Sequence, residues 1–256
     1  FFLKQRKLRF ISRSHAMKLP PDSYDFAVDA SPPFERVENI SLLTRLAGYS
    51  LIEKPVTTGL DSSKAMSGYV LQHGPLIDKL LNEVHGACNP VDMVMAKVKT
   101  NLTFDGEGWR SGGHRAVVSE FMGHLLSVSF LLRDPQSKPV IKRVFTGERS
   151  VAVEVSFDDW SLNCLFEFGD SSVRKTSYNW AVTQCDRSVE YDCYEIVVND
   201  RSLGNIASQA ATADFYLRGF DFSNQAACLF QRKGDRMTPM ALSICEELIR
   251  DVESRL

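Results

Sequence analysis

Few residues in this chain offer chemistry by type and spacing alone. Gly112-Gly113-His114-Arg115 joins two glycines to an imidazole and a guanidinium. Backbone N–H groups exposed by glycine, with a cation beside them, suit an anion; a single Gly-Gly next to a basic residue reads more simply as a loop. Asp158, Asp159 and Asp170 are ligands of the hard-cation type, but no further ligand spacing extends them. The six cysteines, Cys88, Cys164, Cys185, Cys193, Cys228 and Cys245, form no C-x-x-C pair and do not cluster with histidine, which argues against a structural zinc. Most lie in apolar runs, where cysteine is read as a small buried hydrophobe and a reduced thiol. The sequence has no G-x-S-x-G, H-E-x-x-H, P-loop or G-x-G-x-x-G fingerprint, and no metal or cofactor is expected from it. Trp109, Trp160 and Trp180, single aromatics among strands, read as core.

The elements that would position these groups follow from periodicity. The opening through Pro33, rich in basic residues, Ser and Pro, reads as an extended arm. A helix is expected over Phe34–Ala47, with Val37, Ile40, Leu43 and Ala47 on one face and Gly48 as its stop. The stretch from Tyr49 to Met66 reads as loop. A second helix over Pro75–His85 places Leu76, Ile77, Leu80, Leu81 and Val84 in one stripe. Val94, Ala96, Val98 and Thr100 then alternate with polar residues, the period of a half-buried strand. Strands are expected over Arg115–Glu120, Leu125–Arg133 and Val140–Thr146, and later over Val151–Phe157, Leu162–Phe168, Tyr178–Cys185 and Tyr194–Val198. The nearly continuous apolar run Leu125–Leu132 suits a strand covered on both faces or at a dimer edge. A helical piece at Leu203–Ala213 and a hairpin over Phe215–Arg232 precede a closing helix with Thr238 as N-cap and Pro239 in its first turn.

Charge is near balance overall, 30 basic against 32 acidic side chains, but it is unevenly placed. Lys4, Arg6, Lys7, Arg9, Arg13 and Lys18 lie in a leading segment with no acid. That segment reads as a solvated tail, as part of an organellar targeting segment, or as an arm for RNA or an anionic surface. A start at Phe1 rather than Met fits processing or an incomplete start, and the expected location is mitochondrial, otherwise intracellular. No apolar run reaches the length of a membrane span.

The order of elements resembles the hotdog-fold acyl-CoA thioesterases. The resemblance covers residues 68–147 and rests on His73-Gly74-Pro75 opening a helix, on Lys97–Phe104, on Gly123–Asp134 and on Pro139–Gly147. It implies an α+β fold: a curled antiparallel sheet around a central helix, then a β-rich extension and a terminal helix. The domains would be an arm at 1–33, a hotdog-like domain at 34–149 and, at 150–256, a β-rich extension or a second hotdog-like half.

In that family the helix start polarises a thioester carbonyl, and a carboxylate about two turns on acts as nucleophile or base. By the resemblance His73 and Gly74 would bind substrate, while Pro75 has no N–H to donate. The carboxylate position falls on Asn82, which cannot take a proton, and a facing hydroxyl position falls on Met95. Asp78, one turn earlier, and Glu83, one residue along, are the substitutes. The implied function is a catalytically degenerate structural subunit of a larger assembly, such as a mitochondrial ribosome or respiratory complex, bound to other subunits or a second copy. The alternatives are an active thioesterase using acyl-CoA, an acyl-chain or acyl-carrier binder, and a viral β-rich structural or movement protein.

Overall fold

A computed structural model describes residues 11–29, 31, 33–54, 63–105, 111–173, 175–206 and 216–256. Most of the leading basic cluster, Lys4 to Arg9, and Trp109 lie outside them. After a single helical turn, α1 (Arg13–Ala16), the chain forms β1 (Tyr24–Asp29), α2 (Pro33–Leu46), β2 (Ala47–Ile52) and β3 (Ala65–Ser67). These strands make one parallel sheet in the order β1-β2-β3. Parallel neighbours need a crossover, and α2 supplies it between β1 and β2. Successive side chains of β2 point to opposite faces. Ile52 packs with Ile40 of α2 and Ala65 on one side. On the other, Tyr49 packs with Met66 and with Leu229 of α5 (Tyr216–Gln231).

A 3-10 turn (Val70–His73) and α3 (Ile77–His85) lead to the second sheet. Its strands are β4 (Met93–Lys99), β5 (Val140–Gly147), β6 (Ser150–Ser156), β7 (Ser161–Glu167), β8 (Ser177–Gln184), β9 (Arg187–Tyr191), β10 (Glu195–Val198) and β11 (Arg201–Asn205). Their order is β11-β10-β9-β8-β4-β7-β6-β5. All neighbours are antiparallel except β4 and β7, which run parallel at the centre. The core face alternates as the sequence did: Val94, Ala96 and Val98 point inward with Leu162, Cys164, Phe166 and Trp180. Against it lies α4 (Gly113–Leu132), backed by α6 (Pro239–Glu253). Thr238 caps α6 by accepting from the Ala241 N–H.

The hotdog arrangement is therefore overturned. Two sheets replace one curled antiparallel sheet, one wholly parallel and the other with a parallel pair at its middle. The second sheet also runs without a break across residue 150. The decisive misreading is 113–132, expected as two strands and folded as one helix of 20 residues. A continuous apolar run reads equally as a strand buried on both faces or a helix buried all round. The same helix is long and apolar enough to cross a bilayer, but here 78% of its apolar window is buried inside the protein. The expected hairpin over Phe215–Arg232 is the helix α5; the expected arm and loop hold β1, β2 and β3; and of the expected helical piece Leu203–Ala213, residues 203–205 are the end of β11 while 207–213 lie outside the described residues.

One carboxylate ties the end of the parallel sheet to the segment between α5 and α6. Asp235, between α5 and α6, accepts from the Ser67 N–H of β3 at 3.0 and 2.9 Å, from the Ser67 hydroxyl, and from Gln72 Nε2 at 3.1 Å. Burial raises its pKa above the ordinary value, and the bonds from Ser67 and Gln72 pull it back down. Asp235→Ala leaves these buried donors without an acceptor, and urea unfolding is expected to show a loss of about 3 kcal/mol.

A second buried acid, Glu246 on α6, has no partner for Oε2, and burial pushes its pKa from 4.5 to about 8. As pH rises between those values the unfolded chain releases a proton that the folded chain keeps, so stability falls across that window. The slope is at most about 1.4 kcal/mol per pH unit. Glu246→Gln should remove this term, so that its stability gain over the parent grows from pH 5 to pH 8 in ~1-unit steps of urea titration. A constant difference would show that Glu246 is ionised in the folded state.

Candidate functional site

In open α/β sheets ligands gather beyond the carboxyl ends of parallel strands. Here β1 ends on Asp29, β2 is followed by Glu53-Lys54, and β3 is followed by Gly68. These ends are drawn together: Glu53 N donates to Asp29 O at 3.0 Å, and Gly68 N to Ile52 O at 2.6 Å. A Cβ on Gly68 would stand 2.8 Å from the Glu53 Cα, so only glycine lets the two chain ends close so tightly.

From this edge Lys54 reaches the buried helix α4. Its ammonium lies 3.0 Å from Glu120 Oε1 and donates to the Glu120 carbonyl at 3.1 Å. The two side chains are only 17% and 13% exposed, so water screens the pair far less than on an open surface. Four residues on, His124 shares the Glu120 face of the helix. Its imidazole, 8% exposed, meets two tyrosine rings edge to face: Tyr69 at 6.3 Å and 84°, and Tyr178 at 6.0 Å and 73°. Tyr178 belongs to an aromatic row that continues through Trp180 to Tyr191. It also lines a narrow cleft with room for about 30 Å³, where Thr176, Ser177, Tyr194, Asp192 and Asp221 present hydroxyls and carboxylates. A lysine ammonium, a carboxylate holding it and a neighbouring imidazole form a set able to donate, hold and accept a proton.

The residues expected from the sequence lie elsewhere. His73 ends the 3-10 turn, 3% exposed, with Nε2 unpartnered. Burial, and then the charge of Arg236, lower its pKa from 6.5 to about 4. Gly74 caps that turn, and a Cβ there would stand 3.0 Å from the Tyr191 hydroxyl. Asp78 pairs with Arg236, Glu83 with Arg187 at 2.9 Å, and Asn82 is exposed on α3. Met95 is 49% exposed on the outer face of β4. The Gly112–Arg115 segment is the start of α4, where His114 bonds the Gly147 carbonyl and Arg115 the Glu253 carbonyl. Asp159 pairs with Arg133, and Asp170 with Lys99. Arg13 of the basic cluster lies in α1. No group of three metal-ligating side chains converges among the described residues. The cysteines are free; Cys164 and Cys245 are buried, and burial pushes both thiols up to about 12, while Cys88 and Cys185 are exposed.

Lys54, Glu120 and His124 did leave traces in the sequence. Glu53-Lys54-Pro55 follows an apolar stretch directly, as the carboxyl end of a buried parallel strand would. Glu120 and His124 break an otherwise apolar run at helical spacing, a signal hidden once the run is divided into strands.

Comparison with known proteins bears on the fold. No protein-family model matches the sequence, and no curated protein matches it significantly. Solved structures do. A dehydrogenase from Chromobacterium violaceum has a TM-score of 0.71 at 13% identity, over 99% of this chain and 82% of that one. GenD2 of gentamicin A biosynthesis, solved in complex with NAD, has 0.62 at 13%, over 90% and 75%. A super-repressor mutant of Gal80p from Saccharomyces cerevisiae has 0.60 at 11%, over 94% and 79%. The chain shares the fold of these dehydrogenase and oxidoreductase structures, in place of the hotdog thioesterase fold. With that fold the degenerate mitochondrial subunit, the thioesterase, the acyl binder and the viral protein all lose their basis.

His73 gives this region a test. The unfolded chain takes up a proton as pH falls from 6.5 toward 4, and the folded chain resists it, so acidification lowers stability across that window. In His73→Phe the loss of stability between those pH values should be shallower than in the parent, as followed by chemical unfolding. Equal slopes would mean that His73 titrates normally in the fold.

Proposed function

We propose that Lys54, Glu120 and His124 form the proton-handling part of an oxidoreductase site acting on an alcohol or carbonyl group held beside Tyr178. The observation that carries this reading is the partly buried Lys54–Glu120 ion pair joining the strand-end edge to α4, one helical turn from His124. The similarity to dehydrogenase structures supports an enzyme on this fold.

The residues described fit such a site only in part. A dinucleotide rests its pyrophosphate on a glycine-rich turn at a helix start. The sequence has no such fingerprint, and α2, which follows β1, begins at Pro33, which has no N–H to give. The reacting end of a nicotinamide is better matched, because Lys54 stands at the strand ends where a ligand of this fold sits. A nicotinamide, when bound, supplies the hydride half of an alcohol–carbonyl conversion.

The chain's own residues supply the proton half. The His124 imidazole accepts the hydroxyl proton as an alcohol becomes a carbonyl and returns it in the reverse direction. The Lys54 ammonium donates a hydrogen bond to the same oxygen as negative charge grows on it. Glu120 holds Lys54 and aims its ammonium. Partial burial strengthens each of these contacts.

The test is turnover of a panel of small alcohols and hydroxy acids with NAD or NADP, followed by the absorbance of the reduced nicotinamide. His124→Asn and Lys54→Met are each expected to lower kcat/KM by about 100-fold or more. Turnover that survives both substitutions would sink this assignment.

A further inference from the structure

A glycine in the interior of a buried helix calls for a reason, since it costs about 0.5–1 kcal/mol against alanine. Gly123 immediately precedes His124 in α4, and what faces it is the ring of Tyr69. A Cβ at position 123 would overlap Tyr69 Cε1 and stand 3.1 Å from both Cζ and the hydroxyl oxygen. Tyr69 is fully buried, and Cys245 Sγ of α6 lies 3.8 Å from its hydroxyl, so the ring has little room to retreat. The ring seated in this notch is also one of the two that meet His124 edge to face; Tyr178 of β8 is the other.

We infer that Gly123, Tyr69 and Tyr178 form an aromatic bracket that fixes the ring orientation of His124. Tyr69 and Gly123 are positioning residues, acting through His124. The inference rests on the reading of His124 as the proton-transfer group. The two jaws come from different parts of the chain. Tyr69 enters the 3-10 turn directly after β3, whose end Asp235 holds, and Tyr178 sits in the second sheet. An imidazole held in this way presents one nitrogen to the substrate and does not spread its population over several ring orientations.

Two kinds of readout separate this proposal from the reading it rests on. The first needs no turnover: long-range 1H–15N spectra of the labelled chain report the tautomer and ring-current shifts of His124. The parent should show one tautomer with ring protons shifted by the flanking tyrosines. Tyr69→Phe, which keeps the ring, should look like the parent, whereas Tyr69→Leu and Gly123→Ala should give mixed tautomers and lose the shift. The second readout is kinetic, on whichever substrate the panel yields. Gly123→Ala and Tyr69→Leu should lower kcat by about 10- to 100-fold with KM within about twofold, and Tyr69→Phe should restore kcat. His124 spectra that are the same in Tyr69→Leu, Tyr69→Phe and the parent would overturn the bracket, even if Gly123→Ala fails to fold. Altered spectra in Tyr69→Leu with an unchanged kcat would overturn its role in positioning, while the bracket itself would stand. An intact bracket whose His124→Asn variant turns over normally would instead defeat the proton-transfer reading.

Discussion

The burial of α4 is the constraint on which the rest of this structure depends. From Phe121 to Leu132 every residue of that helix is buried. A polar group in such a place must find a partner or destabilise the fold, and the two serines of this stretch find partners. Ser127 bonds back to the His124 carbonyl and Ser129 to the Leu125 carbonyl, while Trp180 Nε1 also donates to Leu125. Glu120 is answered by a lysine from the other sheet. The pattern shows why charge on this helix is confined to its first half, which lies toward the strand ends, while the second half is given over to packing.

The parallel sheet would be a poor scaffold by itself, with three strands and a helix on each face. It gains its place from α5 and the segment after it. Alongside Asp235, Gln225 Nε2 bonds the Ser67 carbonyl and Asn224 Nδ2 the His73 carbonyl, and Arg236 N donates to Gln72. The strand end that leads to Tyr69 is thus held by residues more than 150 positions later in the chain. Fixing that end fixes one side of the site, and α4 fixes the other.

Much of the second sheet was legible in the sequence because its strands are half-buried, so that apolar and polar residues alternate along β4, β6, β7 and β8. The stripes and caps of α3 and α6 were legible for the same kind of reason. The parallel sheet was not, because β2 and β3 are covered on both faces and therefore show no alternation, and β3 is only three residues long. The helix α4 failed for the same cause, complete burial. Once it was divided into strands, the resemblance to a hotdog domain followed from order and spacing that the true elements do not have. The site was lost with it, since Glu120 and His124 share a face only if the backbone between them is helical. Lys54 joins them by a tertiary contact that no local pattern announces.

The parallel pairing of β4 with β7 bears on how the molecule is assembled. β4 lies between β7 and β8, so the earliest strand of the large sheet is its central one. Its partners arrive at residues 161–167 and 177–184, after the hairpin of β5 and β6. A chain growing from its N-terminus therefore carries an unpaired apolar strand for a long interval before either edge is satisfied. Such non-local pairing slows folding and prolongs the exposure of strand edges. Lys97 and Lys99, on the outer face of that waiting strand, give it the charge that discourages pairing with a strand of another molecule.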